Sequence, residues 1–437
     1  RCIRGFLFSL PSMIKRNNPT TVRAWAFYDW ANSVYPLVIT TSIFPIFYEA
    51  KTSSALADGT VYEKVRFFGM DFINTELYSY VLSLSFLIVS FLSPILSGIA
   101  DYSGRKKSFL KLFCYLGASG CALLFFFDPA YLELSMVFVL MASVGFWGSL
   151  VFYNAFLPEI AEPKLHDRVS AQGFAYGYLG SALLLIALLI LIQTETMPAR
   201  FAFPLVAIWW AGFAQVTYYY LPDNVYDRKP VQRHMFSKGF QELRSVWSDL
   251  STQFNLKAFL RSFFVYSMGV QTVMLMAVLF AKKEVEWGDQ DDAGLIVSIL
   301  IIQFVAILGA YLFAQMSKRI GNIKVLATAL VIWVGVCFSA YFISTPVQFY
   351  LLAAVVGLVM GGIQALSRST YSKLIPETLD HASYFSFYDV VEKLGIVIGT
   401  LLFGLIEGAT SSMRNSALAL LVFFLVGLIL LLFVKKD

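Results

Sequence analysis

Ionisable side chains interrupt some of the most apolar stretches of this sequence. The segment SFYDVVEKLG places Asp389 and Lys393 four residues apart with the acid first, the favourable order for an ion pair on one helix face. Glu392 lies on the neighbouring face, so the pair leaves one carboxylate over. Charged groups inside a membrane helix cost roughly 2.5–3.5 kcal/mol each and normally face a partner or a water-filled cavity. We expect either a structural ion pair that neutralises itself or a site that binds substrate or a proton.

A second polar group lies in the segment YDWANSVYP. Its members share one helix face because their spacing follows the helical period, and they are Asp29, Asn32, Ser33, Pro36 and Thr40. If the helix begins near residue 20, Asp29 lies beyond the first turn and the helix dipole does not account for it. Pro36 can kink the helix and free a carbonyl group. The pattern predicts a polar stripe along a solute path, and the alternative is a carboxylate held for packing alone.

Three other apolar runs carry polar side chains in positions where a path could pass. These side chains are Tyr153 and Asn154 in one run, Gln271 in another, and Gln364 and Arg368 in a third. Polar groups inside membrane helices normally face a partner or a water-filled cavity, so these side chains are candidate site residues. Arg368 has a second interpretation, a cation whose long side chain extends to the membrane interface.

The composition is that of an integral membrane protein. Of 437 residues 58% are hydrophobic and 14% are charged, whereas an ordinary soluble domain is about a quarter charged. Apolar runs of about 20 residues have the length that crosses ~30 Å of hydrocarbon. The three histidines and four cysteines are scattered without ligand or disulfide spacing, so we predict no metal site and no cofactor.

Twelve apolar runs bounded by polar residues, proline or glycine predict twelve transmembrane helices. The runs cover residues 24–48, 77–100, 108–127, 134–157, 169–193, 201–221, 258–281, 293–316, 325–344, 346–367, 384–406 and 414–434. Most lysines and arginines fall on alternate connections, which predicts that both termini are cytoplasmic. The predicted fold is therefore an all-α membrane protein.

Two connections are long. Residues 49–76 are predicted to form an external solvated loop. The central cytoplasmic connection, 222–257, contains an amphipathic pattern that predicts a helix along the inner membrane face or a plain linker. The apolar positions of this pattern are Phe236, Phe240, Leu243, Trp247 and Leu250.

An internal repeat divides the chain into halves. Three pairs of segments lie about half a chain length apart, SGRKK with KRIGNIK, LPE with IPE, and AYGYLG with VVEKLG. The repeat predicts a tail at 1–23, two six-helix bundles at 24–221 and 258–437, and the central connection between them. Glycines four residues apart, such as Gly173 with Gly177 and Gly404 with Gly408, predict close approach of helices.

Two parallel six-helix halves resemble the major facilitator superfamily. The segment GIADYSGRKK is similar to the loop motif that follows the second helix in that superfamily, and the matching residues are Asp101, Gly104, Arg105 and Lys106. An acid at the C-terminal end of a helix needs a partner, which predicts a charge-assisted latch between helices. The alternative is a basic loop that only sets topology. Lys318 stands where the second half would carry the acid.

Within that superfamily the chain resembles the vacuole-effluxer-like, autophagy-related family. The similar segments are YDWANSVY, YNAFLPEIA, QGFAYGYLG and GGIQALSRSTYSKLIPE, and the likeness extends over nearly the whole chain. The resemblance implies that helices 1, 4, 7 and 10 line the central path. It also implies a link to amino acid release from the vacuole, a property of fungal members.

The sequence contains no nucleophile–base pair, phosphate-binding loop or metal cluster, which favours a transporter over an enzyme. We predict secondary active transport of a small polar solute by alternating access, coupled to protons through Asp29, Asp389 or Glu392. A carboxylate in a low-dielectric cavity can take up a proton near neutral pH. The alternatives are an uncoupled facilitator or exchanger of a cationic or zwitterionic solute, and a membrane receptor or scaffold.

The predicted partners are the lipid bilayer, protons and a small-molecule substrate, without nucleic acid, and the predicted state is a monomer. We expect the protein in a bacterial inner (cell) membrane, with a vacuolar membrane as the alternative. Residues 1–12 lack an initiator and their apolar stretch, GFLFSL, is too short for a signal-peptide core, so Met13 is the expected start.

Overall fold

The structure, a computed structural model, describes residues 16–55, 61–223, 235–288 and 291–435. Most of the predicted tail, including Met13, lies outside the described residues.

The first half contains eight α-helices and one π-helix in its described residues. The helices are α1 (Pro19–Asn32), a π-helix (Tyr35–Ser42), α2 (Ile43–Thr52), α3 (Asn74–Ser103), α4 (Lys106–Leu123), α5 (Leu132–Ala155), α6 (Leu157–Ile160), α7 (His166–Gln193) and α8 (Ala202–Tyr220). Together α1, the π-helix and α2 occupy the first predicted span, and α6 is one short turn after α5.

The central connection and the second half contribute seven described helices. These are α9 (Met235–Thr252), α10 (Phe254–Glu284), α11 (Asp291–Ile320), α12 (Asn322–Ala340), α13 (Pro346–Leu374), α14 (His381–Thr410) and α15 (Met413–Leu431).

Local sequence signals account for several helix ends. The Asn18 side chain caps α1 by accepting a hydrogen bond from the Thr20 amide at 3.0 Å. Thr345 and Gln348 form a reciprocal capping box at the start of α13. Gly104 ends α3 with φ of +67°, a left-handed conformation in which glycine has no steric penalty.

Helix pairings repeat between the two halves. Helix α1 packs against α7 and α8, and its counterpart α10 packs against α14 and α15. Likewise α4 packs against α5 and α8, while α12 packs against α13 and α15. The halves meet where α3 packs on α14 and where α7 packs on α11 and α13. This repetition agrees with the predicted pseudo-symmetry.

Ten of the described helical stretches are long and apolar enough to cross a membrane. The other two predicted spans are helical as well. The first is divided among α1, the π-helix and α2, and the eleventh, α14, has 30 residues but carries the charged group Asp389, Glu392 and Lys393. The structure is consistent with twelve spans, and the count and the sidedness of the termini stay predictions.

The connection predicted as a plain external loop contains two β-hairpins. Strand β1 (Ser54–Ala55) pairs with β2 (Val61–Tyr62), and β3 (Lys64–Phe67) pairs with β4 (Met70–Ile73), both antiparallel. Phe68 and Gly69 join β3 to β4 with positive φ at both positions, as a two-residue hairpin turn requires. The predicted solvated loop therefore contains short strands, which the sequence analysis did not predict.

Helix α9 lies where an amphipathic helix is predicted, and two of its apolar side chains are buried against the protein. Val246 and Leu250 pack inward, whereas Phe240 is 61% and Trp247 is 65% exposed. The helix packs mainly against α3 and also touches α14, where Trp247 contacts the ring of Phe387 at 5.4 Å. Of the predicted apolar positions Leu250 is buried, whereas Phe240 and Trp247 are exposed on the helix surface. The predicted place of this helix along the inner membrane face stays a prediction. The Phe236 side chain lies outside the described residues.

Candidate functional site

A cavity of about 240 Å³ lies between the two halves. It is lined by the first span, α5 and α7 on one side and by α10, α11, α13 and α14 on the other. Eight predicted site residues line it, namely Asp29, Asn32, Ser33, Asn154, Gln271, Gln364, Arg368 and Glu392. Three others, Tyr153, Asp389 and Lys393, lie behind this lining. The cavity thus brings together polar residues from distant parts of the sequence.

The base of the cavity contains a buried ion pair between the halves. Arg368 of α13 donates from Nη1 to Asp29 Oδ2 of α1 at 3.2 Å, and Tyr153 of α5 donates its hydroxyl to the same oxygen at 2.8 Å. The side chains of Arg368 and Asp29 are 4% and 7% exposed. This burial excludes the interpretation of Arg368 as a cation that extends to the membrane interface.

The Arg368 guanidinium is further held by the first half. Nε donates to the Ser170 hydroxyl at 2.9 Å, Nη2 donates to the Ser170 carbonyl at 2.9 Å, and Nη1 donates to Asn154 at 3.3 Å. The ring centroids of Phe174 and Trp25 lie 4.2 and 4.9 Å from its central carbon. Cation–π contacts and charge-assisted hydrogen bonds are both strong when desolvated. One side chain of the second half is therefore bound by α1, α5 and α7.

A glycine makes room for this ion pair. A Cβ added to Gly173 of α7 would lie 2.4 Å from Asp29 Oδ2 and 2.9 Å from Arg368 Nη2. At Gly177 it would lie 2.3 Å from the Ser33 hydroxyl. Both glycines bring α7 against α1, as predicted. By contrast, Gly404 and Gly408 have nothing within 4 Å of an added Cβ, so that pair does not mark a close contact in this structure.

Beyond Pro36 the side chains of the first span that line the cavity no longer follow the α-helical period. Asp29, Asn32, Ser33 and Pro36 line the cavity as predicted, but Thr41 lines it in place of Thr40. The π-helix Tyr35–Ser42 has a wider turn than an α-helix, so residues beyond Pro36 are rotated out of the α-helical period. The Thr41 hydroxyl donates to the Pro36 and Leu37 carbonyls at 3.1 and 2.9 Å.

The charged group of α14 forms the predicted ion pair. Lys393 donates to Asp389 at 2.5 Å and to Glu392 at 3.1 Å, and its amine lies 4.0 Å from the ring centroid of Trp147 on α5. Glu392 faces the cavity and accepts a hydrogen bond from Gln271 of α10 at 2.8 Å. The Asp389–Lys393 pair is internal to the second half, and Glu392 supplies the remaining negative charge to the cavity.

Two polar contacts join α13 to its neighbours across the cavity. The Tyr178 hydroxyl of α7 donates to Gln364 at 2.5 Å, which links the two halves. Tyr266 of α10 and Ser367 share a hydrogen bond of 2.7 Å within the second half. Both contacts orient side chains that line the cavity.

The predicted latch residue Asp101 joins the two halves. Its carboxylate accepts hydrogen bonds from the backbone amides of Ala382 at 3.2 Å and Ser383 at 2.7 Å, in the first turn of α14. The N-terminus of a helix favours a carboxylate because its amides are unpaired and its dipole is positive there. Asp101 thus occupies the place of a helix cap on the opposite half.

Lys106 extends the latch to a second acid. Its amine contacts Glu159 of α6 and lies 3.5 Å from Asp101, and Glu159 also contacts His381 Nδ1 at 3.1 Å. Gly104 contributes the left-handed turn that brings Lys106 back toward Asp101. Arg105 differs from the expectation, since its side chain is exposed and its described hydrogen bonds are made by its backbone.

A second cluster between the halves was not predicted. Asp167 of α7 accepts hydrogen bonds from Ser317, Asn322, Ser369 and Lys373, at 2.8, 2.8, 2.8 and 2.6 Å. The second half has Lys318 where the motif would carry an acid, and Asp167 of the first half supplies the carboxylate instead. This acid lies on α7 and its partners lie on α11, α12 and α13, whereas Asp101 lies on α3 and its partners lie on α14. The sequence signal was the charged segment HDR at the start of α7.

All described hydrogen bonds between the halves lie toward one end of the molecule. They involve Asp101, Glu159, Asp167, Ser170, Asp29, Asn154 and Tyr178 of the first half. Each of these residues lies either in the half of its predicted span nearer the predicted cytoplasmic end or in the connection next to that end. The hydrogen bonds therefore join the two halves from the cavity lining to the end that the predicted topology assigns to the cytoplasm.

The repeated helix pairings of the two halves, around a central cavity that contains charged and amide groups, are those of a transporter of the major facilitator superfamily. The crystal structure of the E. coli fucose:proton symporter FucP has the same fold, with a TM-score of 0.66 at 18% identity over 96% of this chain and 99% of that chain. Residues 17–437 match the family model "Vacuole effluxer Atg22 like", and the chain belongs to this family.

Relatives support the same assignment. The chain is 31% identical over 427 residues to the MFS-type transporter YxiO of Bacillus subtilis (strain 168), with 95% of this chain and 94% of the relative covered. It is 23% identical over 506 residues to autophagy-related protein 22 of Coccidioides immitis (strain RS), with 89% and 82% covered. The predictions of a multi-pass membrane protein and of a transporter rather than an enzyme are confirmed by these relationships.

Proposed function

We propose that the protein is a proton-coupled secondary transporter in which Asp29 carries the proton. The observation that carries this proposal is the buried Asp29–Arg368 pair, which joins the two halves at the base of the cavity. Asp389 and Glu392, the other predicted carriers, contact Lys393 within one half, so their charge state does not act directly across the halves.

Protonation of Asp29 changes the interaction between the halves. The ionised carboxylate attracts Arg368 in a site with little water, where charge interactions are strong. When Asp29 binds a proton this attraction is lost, and the halves are held by the remaining hydrogen bonds of Arg368 to Ser170 and Asn154. Separation of the halves then becomes less costly. Proton release restores the pair and the joined state.

We propose that the solute is small and polar, with a positive charge or zwitterionic character, such as an amino acid. Asp29 neutralises Arg368 and Asp389 neutralises Lys393, so Glu392 gives the region one negative charge in excess. An amine group of a solute would neutralise that charge. The cavity volume of about 240 Å³ suits a molecule of this size.

The test is transport in proteoliposomes with radiolabelled alanine, lysine and glutamate as probes. We expect a pH gradient to drive accumulation of alanine or lysine in the native protein. In Asp29→Asn we expect gradient-driven accumulation to be lost while exchange of labelled for unlabelled solute persists, because only coupling is removed. Accumulation that ignores the pH gradient and is unchanged in Asp29→Asn would refute the coupling.

An uncoupled facilitator or exchanger is favoured by one observation, the position of Glu392. This carboxylate faces the cavity and can bind a cationic group without any change in proton content. The two mechanisms differ in the ions that cross the membrane with the solute. Proton coupling predicts internal acidification together with solute entry, whereas a facilitator carries the charge of its solute alone.

We also propose that the protein acts as a monomer in a bacterial cell membrane. The Bacillus subtilis relative, which matches over nearly its full length, supports the cell membrane. The name of the family supports the vacuolar membrane as the alternative. Light scattering of the purified protein and fractionation of the source cells test the two statements separately.

A further inference from the structure

A second, smaller cavity opens beside the central one within the second half. Its volume is about 60 Å³, and it shares the wall residues Val273, Ala277, Ile302 and Val356 with the central cavity. Its other lining residues come from α10, α12, α13, α14 and α15. The smaller cavity thus adjoins the central cavity, and we refer to it as the side pocket.

The side pocket is apolar throughout. Its inner wall includes Phe349, Ala353, Phe403 and Leu420, which are all buried, and its one sulfhydryl is that of Cys337. An apolar void without hydrogen-bond partners does not hold ordered water, and such voids bind apolar groups instead. The pocket lacks the charged and amide groups that line the central cavity near Arg368 and Glu392.

We propose that this side pocket is a specificity subsite that receives a compact aliphatic group of the transported solute. The inference rests on the proposed function, since it assigns the pocket to the same solute whose polar part occupies the central cavity. An apolar cavity of about 150 Å³ holds benzene, so a pocket of about 60 Å³ suits roughly two to four carbon atoms and excludes an aromatic ring. The pocket thus selects by size as well as by polarity.

Cys337 provides a direct test of whether the pocket can be reached. Its thiol lies on the pocket wall, whereas Cys114 and Cys121 are buried in the first half away from both cavities. We expect methyl methanethiosulfonate to modify Cys337 of the folded native protein in proteoliposomes faster than Cys114 or Cys121, as measured by peptide mass spectrometry. Valine should slow the modification of Cys337 and glycine should not, because only valine carries a side chain into the pocket.

Partial filling of the pocket tests its role in selection. Ala353→Val adds two methyl groups to the pocket wall, and Ala354→Val makes the same change one residue along α13, outside both cavities. We expect Ala353→Val to lower the ratio of valine to glycine uptake by about 10-fold or more, since each methylene in a fitted pocket contributes about that factor. Ala354→Val should leave the ratio unchanged.

The outcomes separate the subsite from the transport function. If glycine and valine are both transported and the ratio is the same in Ala353→Val, the pocket is a packing void and the subsite is refuted. If neither amino acid is transported, the proposed function fails for these probes. The rate of Cys337 modification and its protection by valine then decide whether the subsite exists. Cys337 that reacts no faster than Cys114, or that valine does not protect, overturns the subsite on its own.

Discussion

The carboxylate of Asp101 accepts a hydrogen bond of 2.7 Å from the backbone amide of Ser383, and this bond links α3 of one half to α14 of the other. Together with the Asp167 cluster it joins the two halves at the end that the predicted topology assigns to the cytoplasm. The two acids stand on different helices of the same half, and each one binds groups of the second half. These two carboxylates join the halves at separate places, in addition to the contacts of Glu159 with His381 and of Asp29 with Arg368.

Removal of the first carboxylate should loosen this end. In Asp101→Ala the amides of Ala382 and Ser383 lose a charged acceptor, and hydrogen bonds to charged groups contribute about 1.5–3 kcal/mol. We expect amide hydrogen exchange in the first turn of α14 to become roughly 10- to 100-fold faster, because 1.4 kcal/mol corresponds to a factor of ten. Arg105→Ala is the control, since that side chain is exposed. Equal exchange in Asp101→Ala and the native protein would contradict the latch.

The second cluster should show measurable coupling between its acid and its lysine. Asp167→Asn and Lys373→Met each remove one charge from a pair at 2.6 Å, and each should lower the unfolding free energy by about 1.5–3 kcal/mol. Residues in direct contact show interaction energies of about 0.5–3 kcal/mol in a double-mutant cycle. Chemical unfolding of the four proteins measures this value. Strict additivity of the two changes would show that the ion pair contributes nothing.

A methyl group at residue 173 should disturb the Asp29–Arg368 pair. In Gly173→Ala the new Cβ would lie 2.4 Å from Asp29 Oδ2, so the pair must shift or α7 must move from α1. Overpacking of this kind costs about 1–3 kcal/mol. We expect lower thermal stability and loss of proton-driven transport. The matched control is Gly404→Ala, where nothing lies within 4 Å and alanine should have a neutral or slightly stabilising effect.

Lysine should not replace Arg368. A lysine keeps the charge but loses the planar group that contacts Asp29, Ser170 and Asn154 together and that stacks on aromatic rings. We expect Arg368→Lys to slow solute exchange by about 10- to 100-fold, which corresponds to a loss of about 1.4–2.8 kcal/mol. Arg261→Lys on the exposed face of α10 should leave exchange unchanged. Native exchange in Arg368→Lys would show that charge alone is required at this position.

The helices could be predicted from the sequence because the length of an apolar run, and the polar, proline or glycine residues that bound it, are local properties. Each predicted span coincides with helix, and the pairing of α1 with α10 as counterparts follows the internal repeat. The phase of the first span could not be predicted beyond Pro36. A π-helix depends on a shifted hydrogen-bond register, and the α-helical period therefore placed Thr40 where Thr41 lies.

Sequence reasoning found the site residues whose type is unusual at their position in the chain. Asp29, Arg368 and Lys393 are conspicuous because a charge in an apolar run needs a reason. Ser170 and Asp167 are ordinary at the start of a helix, and their role depends on helices from the other half that come close only in the folded chain.

The hydrogen bonds between Asp101 and α14 join a side chain to backbone amides, which limits the mutations that can remove them. Two of its donors are backbone amides, so no side-chain substitution at Ala382 or Ser383 other than proline deletes them. Single mutations therefore remove those two hydrogen bonds from the carboxylate side alone. A second-site mutation that compensates for an Asp101 variant must therefore strengthen the contact between the halves elsewhere. We expect such mutations in the Asp167 cluster, at the same end of the molecule.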